Sequence, residues 1–163
     1  MEQSMMFFIK GKIDESNGDI GLAFISYMCN NLKLHNKDTP DIKSQYDSIS
    51  FLNQDTQHIV VNRKFETSHN LAEHMAVEMC LEHVLDYVTF DCKIYIMIDT
   101  LFVAEQMNQK SKINAGVYAD QARKNISKLL DMQEAGYNIE FIWIPNKFNK
   151  KTNDLAVLHF TKE

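Results

Sequence analysis

The stretch CKIYIMIDTLFVAEQ, residues 92–106, decides the fold class. Its first part, from Cys92 to Ile98, is a short apolar run rich in Ile, which is typical of a strand buried on both faces of a sheet. The run ends abruptly at Asp99, and the residues from Thr100 to Gln109 have a helical pattern. A buried strand that leads directly into a helix predicts a sheet whose later strands are joined by helical crossovers.

Two apolar segments near the start of the chain predict an antiparallel hairpin. They cover residues 5–13 and 20–29, and the pair Asn17-Gly18 between them tolerates the positive φ of a tight turn. The order β-β-β-α-β-α-α-β-α then predicts a three-layer α/β fold with a five-stranded mixed sheet flanked by helices. Spacing and turn residues place the remaining elements as a third strand at 58–65, a helix at 68–88, a helix at 117–135, a strand at 139–144 and a last helix at 152–160.

Length and composition limit the class of protein. The chain has 163 residues, 45% of them apolar, which predicts one globular domain over 1–163 with a long inserted connection at 30–57. The three cysteines are far apart and odd in number, so they suggest neither a disulfide framework nor a zinc site. No apolar run approaches the ~20 residues of a membrane span, and we expect a cytoplasmic protein with no membrane partner.

Three segments together carry a resemblance to a known family. They are HNLAEHMA at 69–76, IDTLFVAEQ at 98–106 and IPNKFNKKTNDLA at 144–156. In this order and on these elements, they are similar to the motifs of the type 1 ribonuclease H family, in its compact archaeal, bacterial and plant-like branch. The resemblance implies a ribonuclease H-like fold. Members of that family hold two Mg²⁺ ions between carboxylates and cleave the RNA strand of an RNA–DNA hybrid.

The resemblance also assigns site positions, residue by residue. Glu73 takes the position of the helix glutamate and Asp99 that of the aspartate after the fourth strand. The two other carboxylate positions hold Lys10 and Asn153. Lysine cannot coordinate Mg²⁺, and asparagine offers only a neutral oxygen. The implied site is therefore degenerate, and Lys10 is expected to lie between Glu73 and Asp99 and to neutralise them as a metal ion would.

A second register of the first strand places Asp14 in the site instead of Lys10. Side chains alternate along a strand, so Lys10, Lys12 and Asp14 share one face. Putting Asp14 in the site would place two lysines beneath it, in the interior of the sheet, at a large desolvation cost. This argument favours Lys10, whereas a β-bulge at Gly11 would favour Asp14.

These residues support two functional hypotheses. The first is a non-catalytic ribonuclease H-like protein without a cofactor, which binds nucleic acid, as an RNA–DNA hybrid or RNA, or binds a protein partner through 30–57. The second is an active Mg²⁺- or Mn²⁺-dependent ribonuclease H that uses Asp14, Glu73 and Asp99. A weaker third possibility is a structural homodimer that associates through an edge strand. The expected nucleic-acid contacts are Lys12, Lys147, Lys150 and Lys151, although the net charge of −5 argues against a broad basic surface.

Overall fold

The hairpin at the start of the chain forms the centre of the sheet. In the computed structural model, which describes residues 3–30, 49–61, 68–89 and 91–160, β1 (Gln3–Ile13) and β2 (Ile20–Asn30) pair antiparallel along their whole length. The turn between them has Gly18 at a φ of 81°, a conformation that glycine adopts without steric cost. The predicted hairpin is confirmed.

Three further strands complete a five-stranded mixed sheet. Its order is β3-β2-β1-β4-β5, with β4 parallel to both β1 and β5. This confirms the predicted fold class, including the antiparallel first hairpin and the parallel later strands. The other elements of the described residues are β3 (Ile49–Ile59), α1 (His69–Tyr87), β4 (Lys93–Ile98), α2 (Leu101–Met107), α3 (Ala119–Glu134), β5 (Asn138–Trp143), a 3-10 turn (Asn146–Phe148) and α4 (Lys150–Ala156).

The position predicted for the third strand is wrong. The sequence predicted a strand at 58–65 and a connection at 30–57, whereas β3 begins at Ile49 and ends at Ile59. Nine residues of the predicted connection therefore belong to β3, and 31–48 and 62–67 lie outside the described residues. Most side chains of β3 are exposed, so neither face imposes the apolar alternation by which strands are recognised. Its pairing with β2 depends on backbone hydrogen bonds instead.

The outer edge of β3 is protected by its own side chains. The backbone N–H of Gln54 donates to Asn53 Oδ1 (2.8 Å), and that of Thr56 donates to Asp55 Oδ1 (2.9 Å). Backbone groups alternate in direction along a strand, and among the described strands β3 has β2 as its one neighbour. These two N–H groups therefore lie on the side away from β2 and already have acceptors.

Alternate residues of β1 face two separate apolar layers. Phe7 and Ile9 pack with α1 and α3 in the larger core, whereas Met6 and Phe8 belong to a second cluster on the opposite face. Helix α1 approaches β1 closely at Gly11, where a Cβ atom would lie 1.9 Å from the carbonyl oxygen of Ala72. A glycine is required there, because any side chain would push the helix away from the strand.

Helix α1 begins where the sequence predicted. Ser68 Oγ accepts a hydrogen bond from the backbone N–H of Leu71 (3.1 Å), which caps one of the free donors of the first turn. This cap fixes the start of the helix, and with it the position of Glu73 in the second turn. None of the helices in the described ranges is both long and apolar enough to cross a bilayer.

Candidate functional site

Three charged side chains meet at the end of the sheet where β4 leads into α2. Lys10 Nζ lies 2.8 Å from Glu73 Oε1 and 2.8 Å from Asp99 Oδ1. The exposed fractions of the side chains are 13% for Lys10, 3% for Glu73 and 4% for Asp99. The three residues thus form an almost buried cluster with one cation between two carboxylates.

The position of each group follows from its element. Lys10 continues the face of β1 that carries Met6 and Phe8, so both apolar side chains lie beneath it. Gly11 then allows α1 to approach, which brings Glu73 against the strand. Asp99 directly follows the last residue of β4, where ligands commonly bind in α/β sheets.

A fourth side chain, which the sequence did not predict, completes the cluster. Asn149 Nδ2 donates to Asp99 Oδ2 (3.0 Å) and to the backbone carbonyl of Ile9 (2.8 Å). Asn149 is only 1% exposed, so it fixes the Asp99 carboxylate relative to β1. In the sequence, Asn149 stands out only as part of the segment 144–156, and the family resemblance assigned no role to it.

The structure does not bring the other two candidates into this cluster. Asp14 lies in the turn after β1, where its Oδ1 accepts hydrogen bonds from the backbone N–H and the hydroxyl of Ser16. Asn153 lies half-buried on α4, and its amide forms no hydrogen bond with any side chain of the described residues. The β1 side chain that contacts Glu73 is therefore that of Lys10.

Burial and charge shift the proton affinities of the cluster. Burial raises the pKa of Glu73 to about 7, and the Asp99 carboxylate adds to the increase, while Lys10 and the backbone N–H of Gly11 oppose it. Burial lowers the pKa of Lys10, but the attraction of Glu73 and Asp99 outweighs it and leaves that pKa above its usual value. Lys10 is therefore charged at neutral pH, and the Glu73 carboxyl group titrates near neutral pH.

The donor set does not match the requirements of a pair of divalent ions. Mg²⁺ needs close to six oxygen ligands at about 2.0–2.1 Å, and it carries twice the charge of an ammonium group. Here the facing oxygens of Glu73 and Asp99 already contact Lys10 Nζ. In the part of the chain that the structure describes, no three His, Cys, Asp or Glu residues are grouped so as to hold a metal ion.

The lysines predicted to contact nucleic acid differ in their surroundings. Lys12 is half-buried on β1, two residues beyond Lys10, and Lys151 is exposed on α4. Lys147 Nζ lies 5.1 Å from the centre of the Phe148 ring. Lys150 pairs with Asp154 at 2.9 Å on the exposed side of α4. The four lysines thus lie on β1, on the 3-10 turn and on α4.

Comparisons with known proteins identify the fold. No protein-family model matches the chain, and no curated protein matches it. Among solved structures, the chain is similar to LC11-RNase H1 in complex with an RNA/DNA hybrid, with a TM-score of 0.65, 17% identity and 93% of both chains covered. It is also similar to RNase H1 from the halophilic archaeon Halobacterium salinarum NRC-1, with a TM-score of 0.65, 13% identity and 94% of both chains covered.

A third similarity is to the N-terminal RNase H domain of a Mycobacterium tuberculosis protein. Its TM-score is 0.63 at 15% identity, and the alignment covers 94% of this chain and 90% of the other. These similarities extend over nearly the whole chain at low identity. They show that the chain has a ribonuclease H-like fold, as the three sequence segments predicted.

Proposed function

We propose that this protein is a non-catalytic ribonuclease H-like module that binds nucleic acid, with the Lys10 ammonium in the place of the catalytic metal ions. The observation that carries the proposal is the contact of Lys10 Nζ with both Glu73 and Asp99 at 2.8 Å. Two carboxylates this close and this buried need a nearby cation, and here the chain itself provides it.

The lysine blocks metal binding in two ways. A divalent ion at this position would have to displace an ammonium group that is hydrogen-bonded to both carboxylates. The displaced Lys10 would then lie beside the ion, and its positive charge would repel it. Since metal-assisted cleavage depends on divalent ions between these oxygens, the arrangement favours a protein that does not cleave its ligand.

Nucleic acid is the ligand class that the fold supports best. One similar structure is an RNase H1 bound to an RNA/DNA hybrid. In this chain, Lys12 lies on β1, Lys147 on the 3-10 turn and Lys151 on α4, at the end of the sheet that holds the Lys10 cluster. Because the net charge is −5, we expect a small number of phosphate contacts and a modest, salt-dependent affinity.

The test combines cleavage and binding of one substrate. An end-labelled RNA–DNA hybrid is incubated with the protein in Mg²⁺ and, separately, in Mn²⁺, and the same hybrid is titrated by fluorescence anisotropy. We expect no cleavage in either ion, together with binding that weakens as salt increases. The double variant Lys147→Gln and Lys151→Gln should bind the hybrid less tightly, and its affinity should decrease less steeply as the salt concentration rises.

The controls separate the two functional hypotheses. Cleavage that disappears in Asp99→Asn would show an active enzyme and refute the proposal. In that case Mg²⁺ or Mn²⁺ would be the required cofactor. If the hybrid and single-stranded RNA both fail to bind at low salt, the nucleic-acid part of the proposal is wrong.

A further inference from the structure

A groove of about 570 Å³ runs between α1 and the outer half of the sheet, away from the Lys10 cluster. Its floor consists of the almost fully buried Leu22 and Phe24 of β2 and the half-buried Ile59 of β3. Helix α1 covers β1 and β2, and β3 makes most of its contacts with β2 alone. The accessible apolar surface of the groove therefore comes from Ile59 and from the α1 side chains that line it.

One row of α1 side chains forms a wall of this groove. Met75, Met79, His83 and Tyr87 are spaced four residues apart, so they form a continuous ridge along the helix. From Met75 to Tyr87 the ridge is about 18 Å long, which is about three helical turns. Tyr87 at its end is 77% exposed. A ridge of this kind is the surface against which a second helix packs.

The charges along the groove all have the same sign. Glu78, Glu82 and Asp86 follow the ridge on α1, and Asp55 lies across from them on β3. Glu78 and Glu82 are paired with Lys124 and Lys128 of α3, respectively. Asp55 and Asp86 form no ion pair with any described residue, and no Lys or Arg is among the described residues that line the groove.

The form of the groove favours a helix over an added strand. A strand would have to pair with the outer edge of β3, where the N–H groups of Gln54 and Thr56 already have acceptors. A helix needs only the ridge and the half-buried Ile59 beside it. Burial lowers the pKa of His83, although Asp55 and Asp86 partly counteract this, so burial reduces the positive charge that its ring presents to a cationic partner.

We propose that this groove, between the ridge Met75–Met79–His83–Tyr87 and β3, binds a cationic amphipathic helix of a partner protein. The apolar stripe of the partner helix packs on Ile59, Met79 and Tyr87, and its Lys or Arg residues face Asp55 and Asp86. This interaction is independent of the Lys10 cluster and of nucleic-acid binding. A nucleic acid is the wrong partner for this surface, because its phosphates would face carboxylates.

The probe is a fluorescein-labelled synthetic peptide of Leu and Lys that forms an amphipathic helix, titrated into the whole protein by fluorescence anisotropy. We expect saturable binding that weakens with salt, and no binding of the same peptide with Glu in place of every Lys. Asp55→Asn combined with Asp86→Asn should weaken binding about fivefold, as expected for the loss of two exposed ion pairs. Asn at position 55 keeps an acceptor for the Thr56 N–H, so the edge of β3 is preserved.

Asp120→Asn combined with Asp131→Asn is the matched control, because it removes the same charge from exposed sites on α3. This variant should bind within twofold of the unmodified protein. In NMR spectra, the His83 ring signals should shift on binding, and those of His69, at the other end of α1, should not.

Three results would overturn the proposal. The first is equal binding of the Glu peptide, or equal weakening by both double variants. The second is displacement of the peptide by an RNA–DNA hybrid. The third is self-association in sedimentation velocity that Asp55→Asn with Asp86→Asn abolishes, since it would assign the groove to a second copy of the chain.

Discussion

Replacing Lys10 by methionine tests the role of the internal cation directly. Methionine keeps much of the length and apolar volume of the lysine stem but leaves Glu73 and Asp99 without a partner for their charges. Both oxygens lie 2.8 Å from Nζ, so they are at most about 5.6 Å apart. At an effective dielectric constant of about 20, two negative charges at that distance repel each other by roughly 3 kcal/mol.

This repulsion predicts a loss of stability that depends on pH. We expect Lys10→Met to lower the free energy of unfolding by about 3 kcal/mol at pH 8, in line with the cost of breaking buried ion pairs. At pH 5 the loss should fall to roughly half, because Glu73, whose pKa is raised to about 7, is already protonated. Urea unfolding followed by circular dichroism at both pH values measures the difference.

Lys12→Met is the matched control, since Lys12 lies on the same strand and face and is only half-buried. Its free energy of unfolding should change by less than about 1 kcal/mol at either pH. A loss for Lys10→Met that is the same at pH 5 and pH 8, or no larger than that of Lys12→Met, would refute the electrostatic argument.

Four further predictions concern the charged cluster, β1 and the turn that follows it. The pKa of Glu73 in the folded protein is about 7, higher than its ordinary value of 4.5. Its contribution to stability is therefore complete below pH 4.5 and is lost as pH rises through 7. The urea concentration at the unfolding midpoint should fall between pH 5 and pH 8, and Glu73→Gln should reduce this dependence on pH. Lys10→Asp places a third carboxylate in the cluster, so Mg²⁺ should raise its Tm and leave that of the unmodified protein unchanged; an equal response of both proteins in thermal scans would contradict this. Gly11→Ala should cost more than about 3 kcal/mol or prevent folding, because its Cβ would lie 1.9 Å from the Ala72 carbonyl oxygen. Gly18→Ala, with open space around its Cβ but a φ of 81°, should cost about 1 kcal/mol in the same unfolding assay.

The sequence predicted the elements whose burial leaves a periodic pattern. The run at 92–98 became β4, because residues covered on both faces must be apolar throughout. Ser68 and the helical spacing after it located α1 within one residue. β3 was misplaced because an exposed strand at the edge of a sheet has no such requirement, and residues such as Asn53 and Gln57 are tolerated there.

Sequence reasoning reached less of the candidate site. The alternation of side chains along β1 favoured Lys10 over Asp14, and in the structure it is Lys10 that contacts Glu73. The role of Asn149 was missed, because its amide reaches the backbone of Ile9 from 140 positions away in the chain. No local pattern encodes an approach of that kind. Asn153 was selected instead from the motif, although Asn149 lies in the same segment.

The side chains along β3 also determine whether the sheet can grow from one molecule to the next. An edge strand with free N–H groups is a template on which another chain can add, and repeated addition leads to fibrils. Asn53 and Asp55 occupy two of those donors within the same strand, and the negative charge of Asp55 repels an identical edge. The polar residues that hid this strand from sequence analysis therefore also oppose the pairing of this edge with a second copy of the chain.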